Sequence, residues 1–585
     1  MMLEKIKTPK DVKKIPLNKL PKLAIEMRTA LLNRVSKIGG HVGPNFGSVE
    51  AIIALHYVFN CPTDKIIFDV SHQSYPHKLL TGRAFGFLNE RDFDKISGYT
   101  NPHESKYDMF AVGHTSTSIS LAIGVAKARD LKKQKYNVIA FIGDGSLSGG
   151  EALEGLNAIN ELKSKFIVVL NDNNMCMAED HGGLYNSLEV LRNTNGKSSN
   201  NIFKSMGYEY LFVKDGNSIN ELISVFKKAN KSQKPIVVHI CTTKGKGLFY
   251  AEKDKEPWHY KMPFNPKTGE LTNQIVETYS SIVKKYILNK AKKDKQFLAI
   301  TSATPGSAGL DKKARKQLGK QFIDVGIAEQ TAAAVAGGAA TNGAKPLWTI
   351  NSTFIQRAYD QISQDICLNN SPVAIACMFN GVYSLRDMTH LGFFDIPLLC
   401  NIPNLVYIAP STREEFLSAL DYAVNQKEHP VVVRAPGGPI ISSRKKCIKD
   451  FSKINQYEIV EKGSKVAIIG VGSMYRLGKQ VIDLYKNKFK DKLTLINPYF
   501  LTGYDIKTLD SLKKNHKLIV TIEDGVLDGG FGEKIARYFG GTNIKVLNYG
   551  LKKEFLDRFN LEKVLKANHL KPELIIQDIR KYILE

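Results

Sequence analysis

Long hydrophobic runs are missing from this 585-residue chain, and no stretch approaches the ~18 consecutive apolar residues that would suggest a membrane span. The first residues, MMLEKIKTPKDVKKIPLNKL, carry positive charges but neither an apolar core nor a small-residue cleavage site. No secretory leader is therefore expected. Cysteine is sparse: the seven residues Cys61, Cys176, Cys241, Cys367, Cys377, Cys400 and Cys447 are odd in number, scattered, and contain no CxxC pair. That argues against a disulfide framework or a zinc centre and for reduced thiols in a cytoplasmic protein. Short-period repeats and low-complexity segments are absent as well. Acidic residues are outnumbered, 57 against 82 Lys and Arg, for a net charge of +25. Such an excess permits nucleic-acid binding. The lysines, however, are dispersed among Asp and Glu, with no long basic block interleaved with aromatics. Anionic small molecules are the expected partners, with no nucleic acid and no membrane.

What is present is ordinary for a globular protein, with 43% hydrophobic and 24% charged residues. At roughly 100–200 residues per domain, this length suggests three domains. Short Val- and Ile-rich runs end in Gly, Asp, Asn or Ser: KIIFDVSHQ, NVIAFIGDG, FIVVLNDN and IVVHICTTKG. Helix-like stretches such as STSISLAIGVAKARDLKK and GGEALEGLNAINELKSK lie between them. Strands buried on both faces and alternating with helices predict an α/β fold of three domains, each a mainly parallel sheet flanked by helices. The pattern restarts after WHYKMPFNPKTGELTNQ and again after RKKCIKDFSKINQ, placing the domains at 1–270, 271–445 and 446–585. Ligands of such sheets collect at the carboxyl ends of the strands.

The strongest chemical signal is Gly143-Asp144-Gly145 after one strand, with Asn173 after the next, 28 positions beyond Gly145. A loop, a helix and a strand fit in that interval, bringing Asp144 and the Asn173 side-chain oxygen to neighbouring strand ends. These two hard oxygen ligands, with the Met175 carbonyl, leave coordination sites for diphosphate oxygens, the usual mode for Mg²⁺. The turn and helix start at Ser146–Gly150 can offer N–H groups to the same diphosphate. A second glycine signal, Gly470-Val471-Gly472, imitates a dinucleotide fingerprint, but Tyr475 stands where its third glycine belongs.

Together with GGHVGPNFGSVEAIIALHYVFN (39–60), DVSHQSYPHKLLTGR (69–83), VGHTSTSIS (112–120), KGKGLFYAEKD (244–254), DVGIAEQ (324–330), STFIQRAYDQ (352–361) and MTHLGFFD (388–395), the chain resembles the thiamine-diphosphate enzymes. Within them it is most similar to the 1-deoxy-D-xylulose-5-phosphate synthases, over nearly its whole length and in order. The resemblance implies a diphosphate- and Mg²⁺-binding first domain, a pyrimidine-binding second domain, a third domain for packing and dimerisation, and a homodimer. It implies thiamine diphosphate and Mg²⁺ as cofactors, and pyruvate and a phosphorylated aldehyde as substrates for isoprenoid, thiamine and pyridoxal precursors. Glu329 would act on the aminopyrimidine, with Phe354 stacked on it. His72, Gly113, His114, Thr115, Gly145, Ser146, Asn173 and Leu248 would contact the cofactor. His41, His259 and His390 would be catalytic and face the substrate, and Arg357 would hold its phosphate.

Departures from the family pattern cluster on the acceptor side. Asn351 stands in place of a tyrosine, Phe379 and Gly437 in place of arginines, and Arg386 in place of an aspartate, with Asp387 beside it. Arg386 is accordingly a second candidate for holding the phosphate. The chain is also short between Gly183 and Gly207. The alternatives are a transketolase-like paralogue with another aldehyde or ketose acceptor and, from a different class, a basic nucleic-acid-binding protein.

Overall fold

The computed structural model describes all residues except 274, 275, 444–448, 490, 491 and 585. Cys447 and the domain boundary expected at 445/446 lie outside the described residues. The chain forms two compact units, Met1–Ile275 with Gly326–Ala328, and Val276–Val325 with Glu329–Glu585. No described helix is long and apolar enough to cross a membrane.

The first unit is built on a five-stranded parallel sheet, in the order Lys65–Phe68, Val138–Gly143, Phe166–Asp172, Pro235–Cys241, Glu209–Val213. Its central strands are apolar throughout because both faces are covered. Ile139, Phe141, Ile167 and Val169 face one apolar layer with helices Leu20–Ile38, Val49–Val58 and Ile219–Lys231. Val138, Ala140, Ile142, Phe166 and Val168 alternate onto the other, with helices Ser118–Leu131, Gly150–Ala158 and Gly183–Asn193. A short antiparallel pair joins Gly40–His41 to Tyr260–Lys261.

The second unit contains two sheets. One is six-stranded and parallel, ordered Val406–Ile408, Val431–Arg434, Ala374–Met378, Lys345–Asn351, Phe297–Thr301, Phe322–Asp324. The other has five strands, ordered Glu458–Glu461, Thr494–Asn497, Lys465–Gly470, His516–Val526, Lys545–Leu551, and only its first strand is antiparallel. The expected α/β architecture of mainly parallel sheets is thus the observed one.

The two sheets of the second unit are tied by a buried ion network. Arg434 donates from Nε to Asp395 at 2.6 Å and from Nη1 to Asp524 at 2.7 Å. Tyr407 donates its hydroxyl to Asp395, and Ser473 donates to Asp524 at 2.7 Å. All three ionic groups are buried. Removing one partner of such a set leaves an uncompensated charge in the interior. Arg434→Met is therefore expected to destabilise the second unit by about 3–5 kcal/mol in equilibrium unfolding. A loss below about 1 kcal/mol, the value of an exposed ion pair, would contradict this description of the network.

Candidate active site

In the first unit, Gly143 and Asn171 are paired on adjacent parallel strands, so Asp144 and Asn173 emerge side by side at the carboxyl edge. The Asp144 carboxylate, 2% exposed, accepts the N–H groups of Asn173 and Met175, both at 3.1 Å. The turn after the strand is thereby wrapped around the carboxylate, with Asn174 in the left-handed region at φ 56°. Gly145 is required by this approach: a Cβ there would lie 2.7 Å from Cys176 Sγ. Cys176 N–H donates to Asp180 at 2.8 Å, and Asn173 Oδ1 is buried with no hydrogen-bond partner.

The electrostatics are unbalanced at one point. Burial works against the Asp172 carboxylate, but His239 and Arg192, bonded to it at 2.8 and 2.7 Å, outweigh burial and hold it at about 2. Cys241 lies beside the same pair, and the Arg192 guanidinium makes this cluster an internal ion network. Asp144, by contrast, is raised well above the carboxylate range by burial first, then by Asp180 and Asp172. Asp180 is pushed up to about 6, mainly by burial. A buried carboxylate that Lys244 and two N–H donors only partly offset, an orphaned amide oxygen and two nearby acids form a donor set suited to a hard divalent cation. The residues present therefore fit Mg²⁺.

Three of the expected histidines come together nearby. His41, His72 and His259 have ring centroids 5.0, 5.2 and 5.6 Å apart. Asn45 positions two of them, donating from Nδ2 to the carbonyls of His41 and His72 at 2.7 Å each, while its Oδ1 accepts Tyr75 N–H at 2.9 Å. Burial, then Lys244, lowers His72 to about 3. The segment holding Gly113, His114 and Thr115 is fixed by Asp69, which accepts the N–H groups of Ser116 and Ser118 at 2.8 and 2.9 Å. Ser116 also donates to the Ser146 carbonyl at 2.8 Å, linking this segment to the Gly145 turn. Leu248 is buried in the apolar core of the unit and offers only a hydrophobic surface.

In the second unit, Glu329 opens helix Glu329–Thr341 and is 4% exposed. Its Oε2 has no hydrogen-bond partner, and Arg357 Nη1 stands 3.8 Å away. Burial raises this carboxyl and the arginine partly offsets it. Phe354 meets His390 edge to face, with centroids 5.6 Å apart. Thr389 donates both N–H and hydroxyl to Asp387 Oδ1, at 3.0 and 2.6 Å, and pairs through the same hydroxyl with His390 Nδ1 at 2.8 Å. Because that hydroxyl proton goes to Asp387, the imidazole proton belongs on Nδ1.

One departure on the acceptor side, Gly437, has a structural reason. A Cβ at Gly437 would meet the Tyr383 ring at 3.1 Å and the Asn380 carbonyl at 3.2 Å, so the tyrosine packs where a long side chain would begin. Arg434, from the same segment, is fully engaged in the ion network. Phe379 has φ 53° and is 42% exposed. Arg386 is exposed, and its carbonyl accepts Arg558 N–H at 2.6 Å. Asn45, Asp69, Asp180 and Lys244 were not assigned from the sequence. Asn45, Asp69 and Lys244 lie inside or beside recognised motifs, but their partners are distant in the chain.

The first unit matches the family profile described as 1-deoxy-D-xylulose-5-phosphate synthase over residues 3–199 and 192–242. Residues 278–438 match the transketolase pyrimidine-binding domain and 455–575 the transketolase C-terminal domain. A protein of Clostridium tetani named 1-deoxy-D-xylulose-5-phosphate synthase is 38% identical over 617 residues, covering 99% of this chain and 99% of that one. Its namesake in Clostridium acetobutylicum is 39% identical over 607 residues, covering 97% of each. With such identity along the full length, the chain belongs to the 1-deoxy-D-xylulose-5-phosphate synthase family.

Proposed function

We propose that the protein joins pyruvate, with loss of CO₂, to D-glyceraldehyde 3-phosphate and yields 1-deoxy-D-xylulose 5-phosphate, using thiamine diphosphate and Mg²⁺. The observation that carries this is a set of buried acceptors poorly matched by their surroundings: the Asp144 carboxylate, raised well above its ordinary value, and Asn173 Oδ1 and Glu329 Oε2, which have no hydrogen-bond partner. Each belongs to a residue that the family pattern assigns to the cofactor. The working form is a cytoplasmic homodimer with functional segments at 1–270, 271–445 and 446–585.

Asp144, Asn173 and the Met175 carbonyl would hold Mg²⁺ against the diphosphate, with Gly145, Ser146, His72, Gly113, His114, Thr115 and Leu248 around the cofactor. Bound thiamine diphosphate supplies an electron sink for the pair released when pyruvate loses CO₂. Phe354 would stack on the aminopyrimidine. Glu329, raised by burial, would hold a proton at its N1′ nitrogen. His41, His259 and His390 would bind or move protons at substrate oxygens. Arg357 and Arg386 would bind the aldehyde's phosphate through charge-assisted hydrogen bonds.

Product analysis of the purified protein with pyruvate and a panel of aldehydes tests the reading. 1-Deoxy-D-xylulose 5-phosphate should dominate, and a preferred unphosphorylated acceptor would contradict it. Asp144→Ala should abolish thiamine diphosphate binding while leaving the circular dichroism spectrum unchanged, and unchanged cofactor affinity by calorimetry would refute the metal assignment. Glu329→Gln should slow exchange of the cofactor C2 proton by about 10²–10⁴-fold. Wild-type exchange, followed by NMR, would remove Glu329 from this role. Arg386→Ala should raise KM for glyceraldehyde 3-phosphate about ten- to hundredfold, the cost of one charge-assisted contact. If that KM is unchanged and another aldehyde is used better, the acceptor is different.

A further inference from the structure

Lys244 is a buried cation that no step above uses. It follows strand Pro235–Cys241 and is 2% exposed. Its Nζ donates to the Cys176 carbonyl, in the turn that wraps Asp144, and lies 3.1 Å from His259 Nδ1. The neighbouring Gly245 N–H donates to the Gly43 carbonyl at 3.0 Å, fixing the backbone from which the side chain extends. A lysine side chain buried to this degree has few rotamers left, so its head group is a fixed donor.

An ammonium group has three N–H donors and no lone pair. Whatever ring nitrogen faces it must accept. We propose that Lys244 is a positioning residue that locks His259 as the neutral tautomer with its proton on Nε2, making His259 a permanent hydrogen-bond donor toward substrate oxygen rather than a general base. The proposal rests on the thiamine-diphosphate reading for the identity of that substrate.

The surroundings point the same way. His259 is held well below the ordinary imidazole value by burial, then by Lys244, His72 and His41, with only the Cys176 carbonyl acting in the opposite sense. Lys244 itself is drawn down to about 8 by burial, while Cys176, Asp144 and Asp180 favour its charged form and Lys255 opposes it. It therefore remains an ammonium at neutral pH. A proton on Nδ1, whether the ring were neutral or charged, would point an N–H at the ammonium 3.1 Å away. His390 has the opposite arrangement, with its proton directed from Nδ1 to Thr389. The two histidines are thus assigned different duties, one donating from Nε2 and the other with an Nε2 lone pair.

The test uses the cofactor-loaded protein labelled with ¹⁵N-histidine, the His259 signals being assigned by their loss in His259→Gln. Wild type should show an unprotonated Nδ1 and a protonated Nε2 from about pH 6 to about pH 7, where Lys244 is still an ammonium. Lys244→Met, assayed with saturating thiamine diphosphate and Mg²⁺, should let His259 titrate within that window and lower kcat/KM for the condensation by at least about tenfold. Lys244→Arg, also a donor only, should restore the tautomer and most of the activity. A proton on Nδ1 in wild type, or an unchanged tautomer in Lys244→Met, overturns the proposal. Should Lys244→Met not fold, the wild-type and Lys244→Arg spectra decide. Absence of C2 exchange in wild type would instead sink the thiamine reading, and the same wild-type spectrum would still decide whether Lys244 sets the tautomer.

Discussion

Asp144 is a carboxylate closed off from water at the end of a buried strand, with two backbone N–H donors and two further acids nearby. An ionised group placed there costs several kcal/mol unless a cation joins it. Much of the first unit is arranged to keep that imbalance. Arg192 and His239 neutralise Asp172 but not Asp144. Gly145 lets the Cys176 turn close over the acid, and Lys244 pins that turn from the opposite side. A fold selected for stability alone would have paired or removed the charge. Its retention, with the Asn173 oxygen also unsatisfied, is what the proposed metal site would require.

The second unit shows the same division between neutralised and exposed chemistry. Arg434, Asp395 and Asp524 satisfy one another and serve cohesion between two sheets. Glu329 is left buried with one oxygen lacking a hydrogen bond, and Arg357 at 3.8 Å and a backbone N–H only partly offset its burial. Perturbed carboxyl groups gather where a reaction needs a proton held near neutrality. The acceptor side is less uniform with the family, because Tyr383 and the Gly437–Gly438 backbone fill space that a longer side chain would need.

Much of this was legible in the chain. Strands such as Val138–Gly143 and Phe166–Asp172 are short apolar runs ending in Gly or Asp, so their order, and with it the pairing of Asp144 with Asn173, follows from spacing. Strands Glu209–Val213 and Glu458–Glu461 were harder to see, because each lies at a sheet edge and is partly exposed, which interrupts the apolar run. The site residues that escaped are those defined by partners rather than by motif. Asn45 reaches His72 across 27 positions and Lys244 reaches Cys176 across 68. Arg434 stands three residues before Gly437, and only the fold shows it bound to two aspartates. Hydrogen-bond geometry, and therefore the tautomers of His259 and His390, has no trace in sequence spacing.

The central claim is that the Asp144 cluster is an incomplete site whose missing part is a divalent cation with a diphosphate. Titrating thiamine diphosphate into chelator-dialysed protein, with and without Mg²⁺, tests it most directly by calorimetry. The account predicts that Mg²⁺ tightens binding at least tenfold, about 1.4 kcal/mol or more. Equal affinity in the presence of chelator would contradict it.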